Sequence, residues 1–247
     1  MALPGPSLLA MTTVTVHAMH MSDGIVNAPT SALFGVIAAV GLAWCARRAR
    51  TELDERTVPL AGLVAAFIFA VQMVNFPILP GVSGHLLGGA LAAILVGPGT
   101  GALCIAIVLV VQALLFADGG VSALGMNITN MALIGVAAAY GTALGLSALL
   151  RRGRTVLSVQ ALGVVGFVAA VIGTLSAATG FVIEYAIGGA VATSLPAVTG
   201  YLLGTHLLIG IGEGIITAAT VMAVAGARPD LVYLLRGQRA ETAAAAA

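Results

Sequence analysis

The chain has 247 residues, of which 60% are hydrophobic and only 8% are Asp, Glu, Lys or Arg. A soluble domain carries about 25% charged residues to cover its surface. A soluble fold, a disordered chain and a basic nucleic-acid binder are therefore excluded, and a polytopic membrane protein remains.

A transmembrane helix needs ~20 predominantly apolar residues. Seven stretches qualify or nearly so, at about 28–46, 58–79, 83–97, 99–116, 125–150, 155–178 and 199–226. They predict an all-α integral membrane protein, a bundle of about seven transmembrane helices. The third stretch is short and ends at the turn signal Gly97-Pro98-Gly99. The apolar segment 181–198 holds Glu184, Gly188-Gly189 and Pro196, and reads as a loop or partly re-entrant piece. Cys45 and Cys104 lie inside apolar runs and read as small packing residues. The alanine run Ala243–Ala247 closes a disordered tail, 237–247, behind a membrane domain spanning 19–236.

All ten basic residues are arginine, and the net charge is +1. Arg47, Arg48, Arg50 and Arg56 follow the first stretch, Arg151, Arg152 and Arg154 the fifth, and Arg228, Arg236 and Arg239 the seventh. Arginine-rich loops stay cytoplasmic. An odd span count puts all three groups on one side, with the N-terminus outside and the C-terminus in the cytoplasm. The same topology gathers the N-terminal segment and the loops 75–85 and 118–124 at the outer face, where no arginine lies. A weakly acidic outer face with histidines suits a cation.

His17, His20, His85 and His206 are the histidines. A lone membrane histidine is ordinarily a hydrogen-bonded packing residue. Topology brings His20 and His85 to one face without having used them, which makes a ligand role as good a reading as packing. Imidazole suits nickel, cobalt, copper and zinc.

Four ordered motifs carry a resemblance. Met19-His20-Met21-Ser22-Asp23-Gly24 comes first, then Asn75-Phe76-Pro77 with Ser83-Gly84-His85-Leu86-Leu87-Gly88-Gly89-Ala90. The run Gln112 to Gly120, followed by Gly125-Met126-Asn127 and Asn130-Met131, is the third, and His206 with Gly212-Glu213-Gly214 the fourth. From Met19 to about Arg236 the chain resembles the CbiM/NikM family, the substrate-binding membrane components of energy-coupling factor transporters for cobalt and nickel. The resemblance implies a nearly planar set of four nitrogens around Co²⁺ or Ni²⁺. The donors would be the Met19 α-amine, the backbone nitrogen and imidazole of His20, and His85. The amine and the next backbone nitrogen close a five-membered chelate ring, and the His20 side chain closes a second. Square-planar nitrogen sites favour Ni²⁺ or Cu²⁺ over tetrahedral zinc.

The segment Met1–Ala18 departs from this pattern, because with it attached the Met19 nitrogen is an amide. Val16-His17-Ala18 offers small or β-branched residues where a signal peptidase reads. Cleavage after Ala18, or translation starting at Met19, would both give a mature chain beginning at Met19.

Asn75, Ser83, Asn127 and Asn130 can hydrogen-bond the ligand imidazoles, and helix capping or packing explains each equally well. Asp118-Gly119-Gly120 reads as a turn, and Asp118 not as a ligand. His206 and Glu213 share a helical face and read as a structural link inside the bundle, a proton relay being the sharper alternative. Small residues at Ser31, Gly35, Ala39 and Ala43, and at Ala61 and Ala65, let helices pack closely, within the bundle or against a partner.

The sequence has no Walker A motif and no hydrolase signature. The expected function is metal capture at the outer face of the cell (inner) membrane. The resemblance implies a coupling transmembrane subunit, cytoplasmic ATPase subunits and a small accessory membrane subunit as partners. The cargo would feed cobalamin synthesis or metalloenzyme maturation. Co²⁺ is weakly preferred over Ni²⁺. A stand-alone ion-coupled carrier using His206 and Glu213, and a membrane metalloenzyme using His20 and His85, are the competing readings.

Overall fold

The computed structural model describes residues 20–55, 57–74, 76–79, 82–151 and 156–236, with the backbone alone at 76–79, 82 and 83. The chain is nearly all helical. Helix α1 (Ala28–Glu52) begins at Asn27, whose side chain accepts the Thr30 N–H at 3.0 Å. Asp54 and Thr57 cap α2 (Thr57–Gln72) reciprocally, each side chain accepting the other's backbone N–H at 2.8 and 2.9 Å. An antiparallel hairpin, β1 (Phe76–Leu79) and β2 (Val82–Gly84), follows with Phe76 opposite Gly84. Helix α3 (Gly89–Val96) turns at Gly97 into α4 (Pro98–Leu115). The single turn α5 (Leu124–Asn127) runs through a π-helical stretch, Ile128–Gly135, into α6 (Val136–Leu150). The long helices α7 (Val159–Gly188) and α8 (Leu195–Ala227) form an extensively packed hairpin, closed by a 3₁₀ turn at Pro229–Leu231.

Among the described residues five helical segments are long and apolar enough to cross a membrane: Ala28–Glu52, Pro98–Leu115, Leu124–Leu150, Val159–Gly188 and Leu195–Ala227. With 16 and 8 residues, α2 and α3 fall short of that length. The second predicted span, 58–79, stops as a helix at Gln72, because Pro77 and the hairpin take its last residues. The third, 83–97, is helical only from Gly89. Every residue of α3 is buried, and the helix touches α2, α4, α6, α7 and α8. A helix apolar on all sides needs such a sheath.

The segment 181–198 also differs from expectation. Residues 181–188 are the last turns of α7, and 195–198 the first turn of α8, where Pro196 is tolerated. Glu184 stays inside the helix because Asn130 of the π-helical stretch donates to its carboxylate at 2.6 Å. Only 189–194 form a turn, held by the Tyr185 hydroxyl on the carbonyls of Val191 and Thr193.

At one end of the bundle Glu52, the last residue of α1, accepts from Gly99 N, Thr100 N and Thr100 Oγ1 at the start of α4. Arg236 donates to the Glu52 carbonyl at 2.8 Å, so two of the arginine-bearing segments meet there. The segment leading into α1 lies at the other end, where Asn27 N bonds the Gly188 carbonyl.

Candidate metal centre

The segment from His20 to Asn27 is a strap sewn to the bundle by its backbone. Asn127 holds Met21 at both ends of one residue, accepting its N–H at 2.9 Å and donating to its carbonyl at 3.2 Å. Gly120 N donates to the same carbonyl at 3.0 Å. Asp23 Oδ1 accepts from the Ser122 N–H and hydroxyl, and these bonds hold its carboxyl below the usual range. Further on, Ala190 N bonds the Ile25 carbonyl, and Val26 bridges Gly189. Gly120 lets the two loops touch: a Cβ there would collide with the backbone nitrogen and side chain of Asp23. Gly119, at φ +92°, adopts a left-handed turn against the Cβ of His20.

This sewing buries His20 to 3% exposure beside His85, at 1%. Their rings lie 4.6 Å apart between centroids, tilted by 40°. His85 sits in the non-helical stretch between β2 and α3, where its Nδ1 donates to the Leu86 carbonyl at 2.9 Å. Because a carbonyl only accepts, that bond puts the ring proton on Nδ1 and leaves a lone pair on Nε2. His20 Nδ1 meets Asp118 Oδ1 at 3.1 Å, and this bond holds the Asp118 carboxyl below its ordinary range. Both Nε2 atoms are buried without a hydrogen-bond partner. Two buried, adjacent and unpartnered imidazole nitrogens are unusual in a packed interior, and a ring whose other nitrogen is fixed by a carbonyl or carboxylate is how proteins orient metal-binding histidines.

Among the described residues no three His, Cys, Asp or Glu side chains form a metal-binding group. Among the described residues the two histidines supply two side-chain donors. Met19 and Asn75 lie outside the described residues, and Ser83 is placed only through its backbone, opposite Pro77. Asn127 bonds the strap backbone rather than an imidazole, and Asn130 bonds Glu184. His206 and Glu213 are not joined to each other: His206 Nδ1 donates to the Leu202 carbonyl, whereas Glu213 accepts from Leu87 N, Gly88 N and Thr174 Oγ1. Asp118 is not legible in the sequence as a partner of His20, because Asp-Gly-Gly is fully explained by a turn. Its position in the third motif was the available signal.

The profile of the CbiM family, described as the cobalt uptake substrate-specific transmembrane region, matches residues 20–231. The chain belongs to the CbiM family. It is therefore a multi-pass membrane protein of a metal transport family rather than of an enzyme family. A Haloquadratum walsbyi protein named as a metal transport protein is 39% identical over 215 residues, covering 87% of this chain and 94% of that one. An Archaeoglobus fulgidus protein named as a fused nickel transport protein, NikMN, is 38% identical over 215 residues, covering 87% of this chain and 68% of the relative. The crystal structure of a truncated transition metal transporter superposes with a TM-score of 0.72 at 27% identity, over 84% of this chain and 99% of the other.

Proposed function

We propose that this CbiM-family chain is the substrate-binding component of an energy-coupling factor transporter. It captures Co²⁺, or Ni²⁺, at the outer face of the cell membrane and releases it inward when a coupling transmembrane subunit and cytoplasmic ATPases reorient it. A small accessory membrane subunit completes the complex, and the ion feeds cobalamin synthesis or metalloenzyme maturation. The observation that carries this reading is the buried His20–His85 contact, with His85 Nε2 unpartnered and its ring fixed through Nδ1.

The ligand set is the Met19 amine, the His20 backbone nitrogen and imidazole, and His85. Two side-chain donors leave a divalent ion undersatisfied, and an amine with its neighbouring backbone nitrogen makes up the number with a five-membered ring. This chemistry requires a mature chain that begins at Met19. The second ring closes through His20 Nδ1, the nitrogen that faces Asp118 here, so loading moves Nδ1 from the carboxylate to the metal. Because the donors lose protons on binding, affinity rises with pH.

The N-terminus lies outside and the C-terminus inside, with about seven crossings, and the meeting of Arg48, Glu52 and Arg236 at the end of α1 away from the histidines supports an odd number of them. A stand-alone carrier loses its coupling pair, since His206 and Glu213 keep separate partners.

The test is metal content and uptake for the wild type and His85→Ala, with and without the coupling subunits, on protein whose intact mass is measured. Wild type should carry about one ion, start at Met19 and import only with its partners. His85→Ala should lose more affinity than the about 10–100-fold typical of a missing outer partner. Uptake by the wild type alone, or tight binding by a chain that retains residues 1–18, would overturn the reading.

A further inference from the structure

A carboxylate inside an apolar bundle is costly unless it has partners and a task. The partners of Glu213 share one target. Its Oε2 accepts the Leu87 N–H at 2.9 Å and its Oε1 the Gly88 N–H at 3.0 Å, while Thr174 Oγ1 of α7 donates to Oε2 at 3.0 Å. From α2, Gln72 Nε2 donates to the Leu87 carbonyl at 2.8 Å. Glu213 is 2% exposed, and Gln72 is fully buried. Helices α8 and α2 thus converge on the two residues that join His85-Leu86 to α3, and α7 holds the Glu213 carboxylate in place.

The need for them follows from the local backbone. An eight-residue helix rises only about 12 Å, so α3 covers less than half of a ~30 Å hydrocarbon core. The chain from Gly84 to Gly88 continues as non-helical backbone, which is tolerated at such depth only where protein groups satisfy it. His85 Nδ1 takes the Leu86 carbonyl, Gln72 the Leu87 carbonyl, and Glu213 two consecutive N–H groups. The carboxylate gives each of the two N–H donors its own oxygen. A glutamine offers one oxygen and would turn an amide N–H toward the other donor.

We infer that Glu213 is a positioning residue for the metal site: by bridging the Leu87 and Gly88 N–H groups, with Thr174 holding its carboxylate, it fixes the backbone that presents His85 Nε2 to the ion. This rests on His85 being a ligand. The hydrogen bonds of Glu213 go to Leu87, Gly88 and Thr174, and it is not itself a ligand of the metal. It sets affinity through the placement of one ligand, and that separates it from a residue that merely stabilises the bundle.

The experiment titrates purified protein with Ni²⁺ or Co²⁺ alone, against a competing chelator, reading Kd and the ligand-field absorption band at saturation. Glu213→Gln should weaken binding about tenfold or more, in the range of outer-shell substitutions at metal sites, and shift the band. Thr174→Val should do both to a smaller extent. Glu184→Gln, which disturbs a buried carboxylate bonded to Asn130 and not to the backbone around His85, should lower Tm and leave Kd and band unchanged. In a His85→Ala background Glu213→Gln should change the residual affinity no further. A Glu213→Gln protein with lowered Tm but wild-type Kd and band would overturn the inference. Should that variant not fold, an unchanged Kd and band in Thr174→Val would overturn it equally. Wild-type affinity in His85→Ala would instead sink the ligand reading beneath it.

Discussion

If His20 chelates as proposed, Asp118 and an incoming ion claim the same atom. The carboxylate binds His20 Nδ1 at 3.1 Å, and a chelate ring through the His20 backbone nitrogen and imidazole needs that nitrogen. Asp118→Asn should therefore weaken the metal-free protein more than the loaded one. A hydrogen bond to a charged group is worth about 1.5–3 kcal/mol, so metal-free Tm should fall by several degrees and the gain in Tm on adding Ni²⁺ should grow. Equal losses in both states would mean that Asp118 keeps its partner when the site is loaded. The acid limb of stability has a matching sign. Asp118 and Asp23 are both held below the ordinary carboxyl range, by His20 and by Ser122 respectively. A carboxyl lowered in the fold contributes fully above its unfolded value of about 4 and loses that contribution as pH falls through the lowered one. The loop clasp should hold at neutral pH and loosen below about pH 4, and Asp118→Asn should flatten that limb. At this scale the histidines were legible because their motifs are distinctive. Asp118, Gln72 and Thr174 were not, because each acts through a pairing distant in sequence.

Among elements, Glu52 shows how a helix of one hairpin is capped by another. Its carboxylate accepts from Gly99 N at 3.1 Å, Thr100 N at 2.7 Å and Thr100 Oγ1 at 3.0 Å, where the first turn of α4 leaves N–H groups without intrahelical partners. Arg48 Nε also reaches it at 3.2 Å, but that side chain is 45% exposed. Removing the carboxylate strands buried donors at about 1–3 kcal/mol each, whereas an exposed ion pair contributes about 0–1 kcal/mol. Glu52→Ala should thus lower Tm in detergent clearly more than Arg48→Ala, as followed by thermal unfolding. The reverse order would make the ion pair the stabilising contact. The long helices could be read from hydropathy, since length and apolarity suffice for them. Hydropathy failed where three-dimensional partners decide. It extended α2 into a hairpin, began the short third span at 83 although α3 is helical only from Gly89, and broke α7 at a Glu184 that Asn130 accommodates.

Over the whole molecule, sidedness decides whether the site faces the supply of metal. Helix α1 has 25 residues, about 37 Å at 1.5 Å per residue. Its two ends can therefore sit on opposite sides of a ~30 Å core. One end carries Arg48 and Glu52 against Arg236, and the other joins the strap that bears His20. If arginine retention in the cytoplasm governs insertion, the strap and the loop containing Val121 face outward and Arg228 inward. Val121 is 58% exposed, and the native Cys45 and Cys104 are buried at 4% and 6%, so an introduced cysteine should dominate thiol labelling. An impermeant maleimide applied to intact cells should label Val121→Cys at once and Arg228→Cys only after permeabilisation. Adding Ni²⁺ beforehand should change the rate of the first reaction and leave the second unchanged, because only the first lies on the loop whose Gly120 contacts the strap. Labelling in the opposite order would turn the site toward the cytoplasm, where a capture component for uptake has no substrate to meet.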